Sequence, residues 1–319
     1  MHLLRDDDIV DVGLNTGTGP QGTMGLALAR RLFKMGFAGF RIGLAHDPRI
    51  TEPVLEELSE FTGARHTWLI FGGKMTKGFP SEEHHDPWKP GEFAAHAREQ
   101  ATLLAHYGFT EPLIEVGNEP DLAHEFWATR PYVLGQIFTL VTYTIREILP
   151  RATVLCPSIS NLDKDSLDYL ARMFPSGLPP GTACAFHRYP FATHAVDAHP
   201  GFANRWQEIE AVRQIVGKET PLYVTECGIH EGPHVKKKLF GLCKKKFWLS
   251  ESDVAKVVSD DLKFWVRAGV TRADIYQLNS GRDRGEREHT YGIRRFEEPW
   301  DGEWKPVAHA LPGIIKELA

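Results

Sequence analysis

The sequence holds no apolar run near the roughly 20 residues that a membrane-crossing helix requires. It has no Cys-x-x-Cys pair, which removes the zinc-ribbon and dithiol redox motifs. Its four cysteines are Cys156, Cys184, Cys227 and Cys243. Three of them sit inside or just after apolar, strand-like runs, the usual setting of buried free thiols. Excess positive charge is also missing. There are 37 Lys and Arg against 42 Asp and Glu, a net charge of −5, which argues against nucleic-acid binding by the chain as a whole. The stretch from Met1 to Asp8 lacks the apolar core of a secretory signal. The expected location is cytoplasmic if that N-terminus is native and secreted if a signal was trimmed from it. No internal repeat, low-complexity tract or interdomain linker is present, so residues 1–319 are expected to form one domain.

What the chain does have is regular alternation. Strand-like stretches read at Val10–Asn15, Gly39–Leu44, His66–Phe71, Leu113–Gly117, Thr153–Pro157, Ala183–His187, Leu222–Thr225 and Asp274–Leu278. Helical stretches read at Gln21–Met35, Glu52–Phe61, Glu92–His106, Tyr132–Ile148, Ser166–Met173, Asn204–Val216, Glu251–Arg267 and Pro306–Leu318. The strands are continuous apolar runs, as in parallel strands covered by helices. Eight such units predict an α/β fold of the (β/α)8-barrel type. Three connections are long, 72–91, 228–250 and 279–305. All three follow strands and are expected on the face where such barrels carry their chemistry.

Two of the strands end in a carboxylate. One reads Leu113-Ile114-Glu115-Val116-Gly117-Asn118-Glu119-Pro120, the other Leu222-Tyr223-Val224-Thr225-Glu226. On the fourth and seventh strands, Glu119 and Glu226 would face each other across the barrel mouth. A facing pair of carboxyls is what glycoside hydrolysis requires. Glu115, inside the strand, is expected to serve barrel structure. Arg41 falls inside the second strand, and a buried arginine needs a carboxylate partner.

The Asn-Glu-Pro ending resembles the acid/base strand of the retaining glycosidases of clan GH-A, and the second run resembles their nucleophile strand. The resemblance implies Glu119 as general acid/base and Glu226 as nucleophile, with an oligo- or polysaccharide as substrate. Such an acid must hold its proton near neutral pH, which burial and an opposing carboxylate favour. By the same resemblance Arg41 keeps the nucleophile ionised, Asn118 binds the sugar 2-hydroxyl, and Tyr189 of His187-Arg188-Tyr189 donates to the nucleophile, with His187 beside it. No metal or organic cofactor is implied. The eighth strand departs from the clan, which often has a tryptophan floor there. Here it reads Ile275-Tyr276-Gln277-Leu278-Asn279, leaving Gln277 and Asn279 as substrate-binding candidates. The run Tyr291-Gly292-Ile293, and then Asp301-Gly302-Glu303-Trp304-Lys305-Pro306, resembles the clan's closing hairpin and last helix.

Other signals compete. Gly17-Thr18-Gly19-Pro20-Gln21-Gly22 matches the dinucleotide fingerprint and raises an NAD(P)-dependent oxidoreductase as a rival, although the acidic residue expected about 20 positions on is absent. A catalytically inactive barrel that binds glycans or a partner protein is a further alternative. His84-His85-Asp86 reads as a solvated loop rather than a metal site. Lys236-Lys237-Lys238 and Lys244-Lys245-Lys246 flank Leu239 to Cys243. The default expectation is a flexible charged loop, and the functional one an anion-binding surface that meets an acidic glycan or an anionic membrane.

Overall fold

The computed structural model describes residues 11–15, 26–44, 48–70, 90–122, 130–189, 197–232, 234–238, 243–278, 291–294 and 303–318. Strands β1 (Asp11–Asn15), β2 (Gly39–Leu44), β3 (Thr67–Ile70), β4 (Leu113–Val116), β5 (Thr153–Leu155), β6 (Cys184–Arg188), β7 (Leu222–Cys227) and β10 (Arg272–Tyr276) form one parallel sheet. Its order is β5-β4-β3-β2-β1-β10-β7-β6. The ends meet through a bridge between Leu155 and Ala183, with Cys156 N–H donating to Ala183 O at 2.9 Å and Ala183 N–H to Val154 O at 3.0 Å. The sheet therefore closes as a (β/α)8 barrel. Helices α1 (Leu26–Lys34), α2 (Pro48–Leu58), α3 (Pro90–His106), α4 (Pro131–Ile148), α5 (Lys164–Met173), α6 (Arg205–Val216), α7 (Glu251–Arg267) and α8 (Pro306–Leu318) accompany it. An open doubly wound sheet is excluded by this strand order, and with it the dinucleotide-binding fold. The Gly17–Gly22 motif itself lies outside the described residues, as does His84-His85-Asp86.

Alternation along each strand sorts the side chains into two environments. Phe40, Trp68, Ile114, Val154, Phe186, Val224 and Ala273 face outward and pack with Leu32, Phe93, Phe138 and Trp265 of the helices in one continuous core. Their neighbours point into the barrel. Leu113, Leu155, Ala183, Ala185 and Tyr223 form a small interior cluster. Several other inward positions are polar: Arg41, Glu115, Thr225, His187, Arg272 and Asp274 are all buried. Arg272 and Asp274 form an ion pair at 2.6 Å, and Gly13 gives it room. A Cβ at Gly13 would stand 1.7 Å from the Asp274 carboxylate and 2.1 Å from the Arg272 guanidinium.

Two expectations are corrected. The last barrel strand runs over Arg272–Tyr276 rather than from Asp274 to Leu278, because its first charged residues are strand residues neutralised inside the barrel. The lysine-rich segment is not an irregular loop. It is an antiparallel ribbon of β8 (His234–Lys238) and β9 (Cys243–Phe247). The chain closes as expected: Arg294 bridges Trp304 in antiparallel sense, and α8 starts at Pro306, a residue suited to the first helical turn.

Candidate active site

Arg41 projects from β2 into the barrel and is the hub of the site. Its Nε and Nη2 donate to the two oxygens of Glu115 at 2.6 and 3.1 Å. Its Nη1 donates to Glu226 Oε1 at 2.6 Å, and Nη2 also reaches Asn118 Oδ1 at 2.8 Å. Burial opposes the guanidinium charge, but Glu115 and Glu226 more than offset it and hold the group charged beyond the ordinary arginine range. Burial likewise opposes ionisation of Glu115. Arg41 outweighs it and keeps that carboxyl below its usual value, while Thr225 Oγ1 donates a further hydrogen bond at 3.0 Å. Glu115 thus serves as the internal counter-ion of Arg41.

Glu226 enters the mouth because β7 carries an irregularity. Strict alternation after Tyr223 and Thr225 would turn Glu226 toward the helices. Pairing with β6 instead steps from Phe186↔Val224 to His187↔Glu226, and pairing with β10 steps from Ala273↔Val224 to Ile275↔Cys227. The extra residue lets Thr225 and Glu226 both contact interior groups before Cys227 returns to the outer core. Bulges next to functional sites often re-aim a side chain in this way. Tyr189 Oη donates to Glu226 Oε2 at 2.5 Å, and burial and then the Glu226 charge push the phenol well above its usual range.

Glu119 stands one residue past Asn118 with φ of +44°, a left-handed backbone that favours glycine and marks local strain. The turn is fastened to the end of β5. Glu119 N–H donates to Ser158 O at 2.8 Å, and Asn118 bridges Ser158. Asp121 then accepts from Ser160 N–H at 2.9 Å, Ser160 Oγ at 2.6 Å and Ser166 Oγ at 2.7 Å.

His187 lies at the centre, wholly buried, with Nδ1 2.8 Å from Glu119 Oε1 and 3.6 Å from Glu226 Oε2. Burial disfavours its charged form, but Glu226 and Glu119 outweigh that and raise the imidazole above its ordinary value. One ligand atom each from Glu119, Glu226 and His187 lie within 4.8 Å of one another. A cation could use such donors in principle. The guanidinium 2.6 Å from Glu226 already supplies positive charge there and opposes a second.

The sequence-predicted residues Arg41, Asn118, Glu119, His187, Tyr189 and Glu226 thus converge. Gln277 sits just past β10, its carbonyl accepting from Ile293 N–H at 2.9 Å, and Asn279 lies outside the described residues. Sequence reading missed the tyrosine cluster beside Glu226. Tyr189, Tyr276 and Tyr291 have ring centroids 5.3 to 6.1 Å apart, and His230 lies 5.3 Å from Tyr291. Tyr276 occupies the strand where the tryptophan was sought, and its polar neighbours in sequence hid it.

No protein-family model and no curated protein sequence matches this chain. Solved structures do. An exo-β-1,4-mannosidase from Opitutaceae bacterium strain TAV5 superposes with a TM-score of 0.63 at 16% identity, over 99% of this chain and 62% of the other. A monomeric β-xylosidase from Caulobacter crescentus CB15 gives 0.64 at 16% identity, over 95% and 67%. Thermotoga maritima Cel5A, in complex with cellobiose substrate, gives 0.63 at 14% identity, over 97% of each chain. At such identities the likeness establishes the barrel fold. The chain spans less than two thirds of the mannosidase's length.

Proposed function

We propose that the chain is a retaining β-glycosidase acting on an oligo- or polysaccharide, built as one catalytic barrel over residues 1–319, with Glu226 as nucleophile and Glu119 as acid/base. The observation that carries this reading is the short separation of the two carboxylates. One oxygen of each lies within 4.8 Å of the other. A pair of oxygens this near is compatible with the roughly 5 to 5.5 Å between the carboxyls of retaining enzymes. That the structural neighbours include a mannosidase and a xylosidase agrees with glycosidase chemistry and leaves the sugar open.

In this mechanism a Glu226 oxygen attacks the anomeric carbon while Glu119 gives its proton to the departing glycosidic oxygen. The C–O bond to the leaving group breaks and an ester to Glu226 forms. Glu119, now a carboxylate, takes a proton from water, whose oxygen displaces Glu226. Arg41 and Tyr189 both donate to Glu226 and aim it, a form of preorganised electrostatic support. Asn118 turns its carbonyl to Arg41, which leaves its amide N–H groups for a sugar hydroxyl. The Tyr189, Tyr276 and Tyr291 rings offer an apolar wall for the sugar in place of a tryptophan.

The test is Glu226→Gln assayed on chromogenic aryl β-glycosides. Turnover is expected to fall to a few per cent or less with the melting temperature preserved. A variant that melts normally and keeps substantial activity overturns the nucleophile assignment.

A further inference from the structure

We propose that Glu208, together with Arg188 and His199, forms a buried bracket behind β6 that positions Tyr189 against Glu226. The inference rests on the reading of Glu226 as nucleophile and names residues outside the barrel interior that serve it. Tyr189 stands one residue past the end of β6, whose last paired residue is Arg188, opposite Cys227. The strand ladder therefore stops short of the phenol that donates to Glu226. Alternation turns His187 and Tyr189 into the barrel and Arg188 outward, toward the helices. Cys184 and Phe186 precede it on that face and belong to the apolar core, and Arg188 is wholly buried beside them.

A guanidinium in that layer is costly. Replacing a buried ion pair by well-packed apolar groups is often neutral or stabilising, so a pair kept there suits a role in specifying geometry. Arg188 Nε donates to Glu208 Oε2 at 3.4 Å, and its Nη2 donates to the Asp197 carbonyl. Glu208 Oε1 accepts from His199 N–H at 2.5 Å. The His199 carbonyl in turn accepts from Phe202 N–H at 3.1 Å, so both backbone groups of His199 are held. Its imidazole hydrogen-bonds the backbone of Tyr189. Burial, and then Arg188, lower that imidazole to about 4, which keeps it neutral at neutral pH with one ring N–H to donate. One carboxylate thus joins the two residues that hold Tyr189, Arg188 through the chain and His199 through a hydrogen bond.

The bracket is mounted on packed helices. Glu208 belongs to the first turn of α6, which Asn204 caps by accepting from Gln207 N–H at 3.2 Å. Arg205, the first residue of α6, pairs with Asp261 of α7 at 2.7 Å. It also lies over the Phe264 and Trp265 rings of α7, 3.8 and 4.5 Å from their centroids. This clamps the start of α6 to α7. Groups carried by packed helices are held more precisely than groups carried by loops. In this role Glu208 and His199 act only through Tyr189, and are positioning residues rather than catalytic ones.

The experiment is a double-mutant cycle on one aryl β-glycoside, with kcat read beside the melting temperature. Tyr189→Phe should lower kcat about ten- to a hundredfold, the range for a lost hydrogen bond to a charged group. His199→Leu should approach that loss, and His199→Asn, which keeps a side-chain donor, should recover part of it. Both leave the Arg188–Glu208 pair intact, so the test stays readable even if Glu208→Gln unfolds. In the Tyr189→Phe background each of these changes should cost less than about twofold, the margin within which independent effects add. Equal losses in the two backgrounds would show that His199 and Glu208 serve only the fold, and would overturn the proposal. A second readout needs no activity. In protein labelled with fluorotyrosine, the fluorine resonance that disappears in Tyr189→Phe should shift in Glu226→Gln, and His199→Leu should shift it the same way. A Tyr189 signal unmoved by His199→Leu and by Glu208→Gln overturns the bracket. A moved signal in a protein that cleaves no glycoside would instead sink the glycosidase reading and leave the bracket standing.

Discussion

Arg41 Nη1 donates to Glu226 Oε1 at 2.6 Å and joins residues 185 positions apart in the chain. The same guanidinium holds Glu115 by its other edge, so one buried cation serves a structural carboxylate and a candidate catalytic one. The two roles can be separated. Arg41→Met leaves Glu115 as a buried, uncompensated charge, which costs about 3 to 5 kcal/mol. The double variant Arg41→Met with Glu115→Gln removes that charge and should recover much of the lost stability. Activity should stay low in both, because Glu226 has lost its partner. Chemical denaturation and kcat on one aryl glycoside check this. Recovery of kcat along with stability would show that Arg41 acts only on the fold.

A second prediction concerns acid stability. His66 is buried among Phe33, Phe40, Trp68 and Phe109, and its Nδ1 lies 3.4 Å from the Phe40 N–H. Burial, and then Arg272, lower its pKa from 6.5 to about 3. The unfolded chain takes up this proton below 6.5 and the folded chain does not. The stabilising contribution is therefore full above pH 6.5 and is lost as pH falls toward 3, by about 1.4 kcal/mol per unit. His66→Phe should flatten this part of the stability profile. Denaturation of both proteins at pH 7.5, 5.5 and 4.5 gives the two slopes, and equal slopes would rule His66 out as the source.

Much of this architecture is legible in the sequence where local signals and burial agree. The start of α7 is read correctly because Ser250 and Asp253 form a reciprocal capping box, and α8 because Pro306 opens it. β2 is read correctly as an unbroken run despite Arg41, since a barrel interior accepts a paired arginine. The β10 register failed for the same physical reason in reverse. Arg272 looks like a polar boundary until its neutralisation by Asp274 is seen. The lysine ribbon failed because lysine is depleted in strands and like-charged rungs disfavour pairing. In the site, residues next to a recognised motif were found, whereas Glu115 as the counter-ion of Arg41, and the Asp121 fastening, depend on pairings over 74 and up to 45 positions.

Asp121 is expected to position Glu119. Its carboxylate ties the left-handed Glu119 turn to Ser160 and Ser166. Asp121→Ala leaves the half-buried Ser160 N–H without this acceptor, a cost of about 1 to 3 kcal/mol. A shift of about 1 Å in a reacting group costs on the order of 10²-fold in rate. The loss in kcat/KM should be larger for aryl glycosides with poor leaving groups, and Asp121→Asn, which keeps one acceptor oxygen, should restore part of it. An equal loss on good and poor leaving groups would mean that the residue matters only for folding.

The last prediction isolates the acid/base role of Glu119. A good leaving group, such as a dinitrophenolate, departs with little protonation, whereas a poor one requires a proton in the transition state. General acid catalysis contributes about 10²- to 10⁴-fold. Glu119→Ala should therefore lose about that much on poor leaving groups in the step that forms the glycosyl-enzyme. On good ones, formation should stay fast while hydrolysis of the ester to Glu226 becomes limiting, giving a burst of released phenol. Azide needs no general base to attack that ester, so adding it should speed turnover and yield a β-glycosyl azide. His187 loses its 2.8 Å partner in this variant but keeps Glu226 at 3.6 Å, which preserves a counter-charge for the buried imidazole. Phenol release and product configuration by NMR check the prediction. An α-glycosyl azide would replace double displacement with a single inversion, and no burst together with no azide effect would remove Glu119 from the reaction.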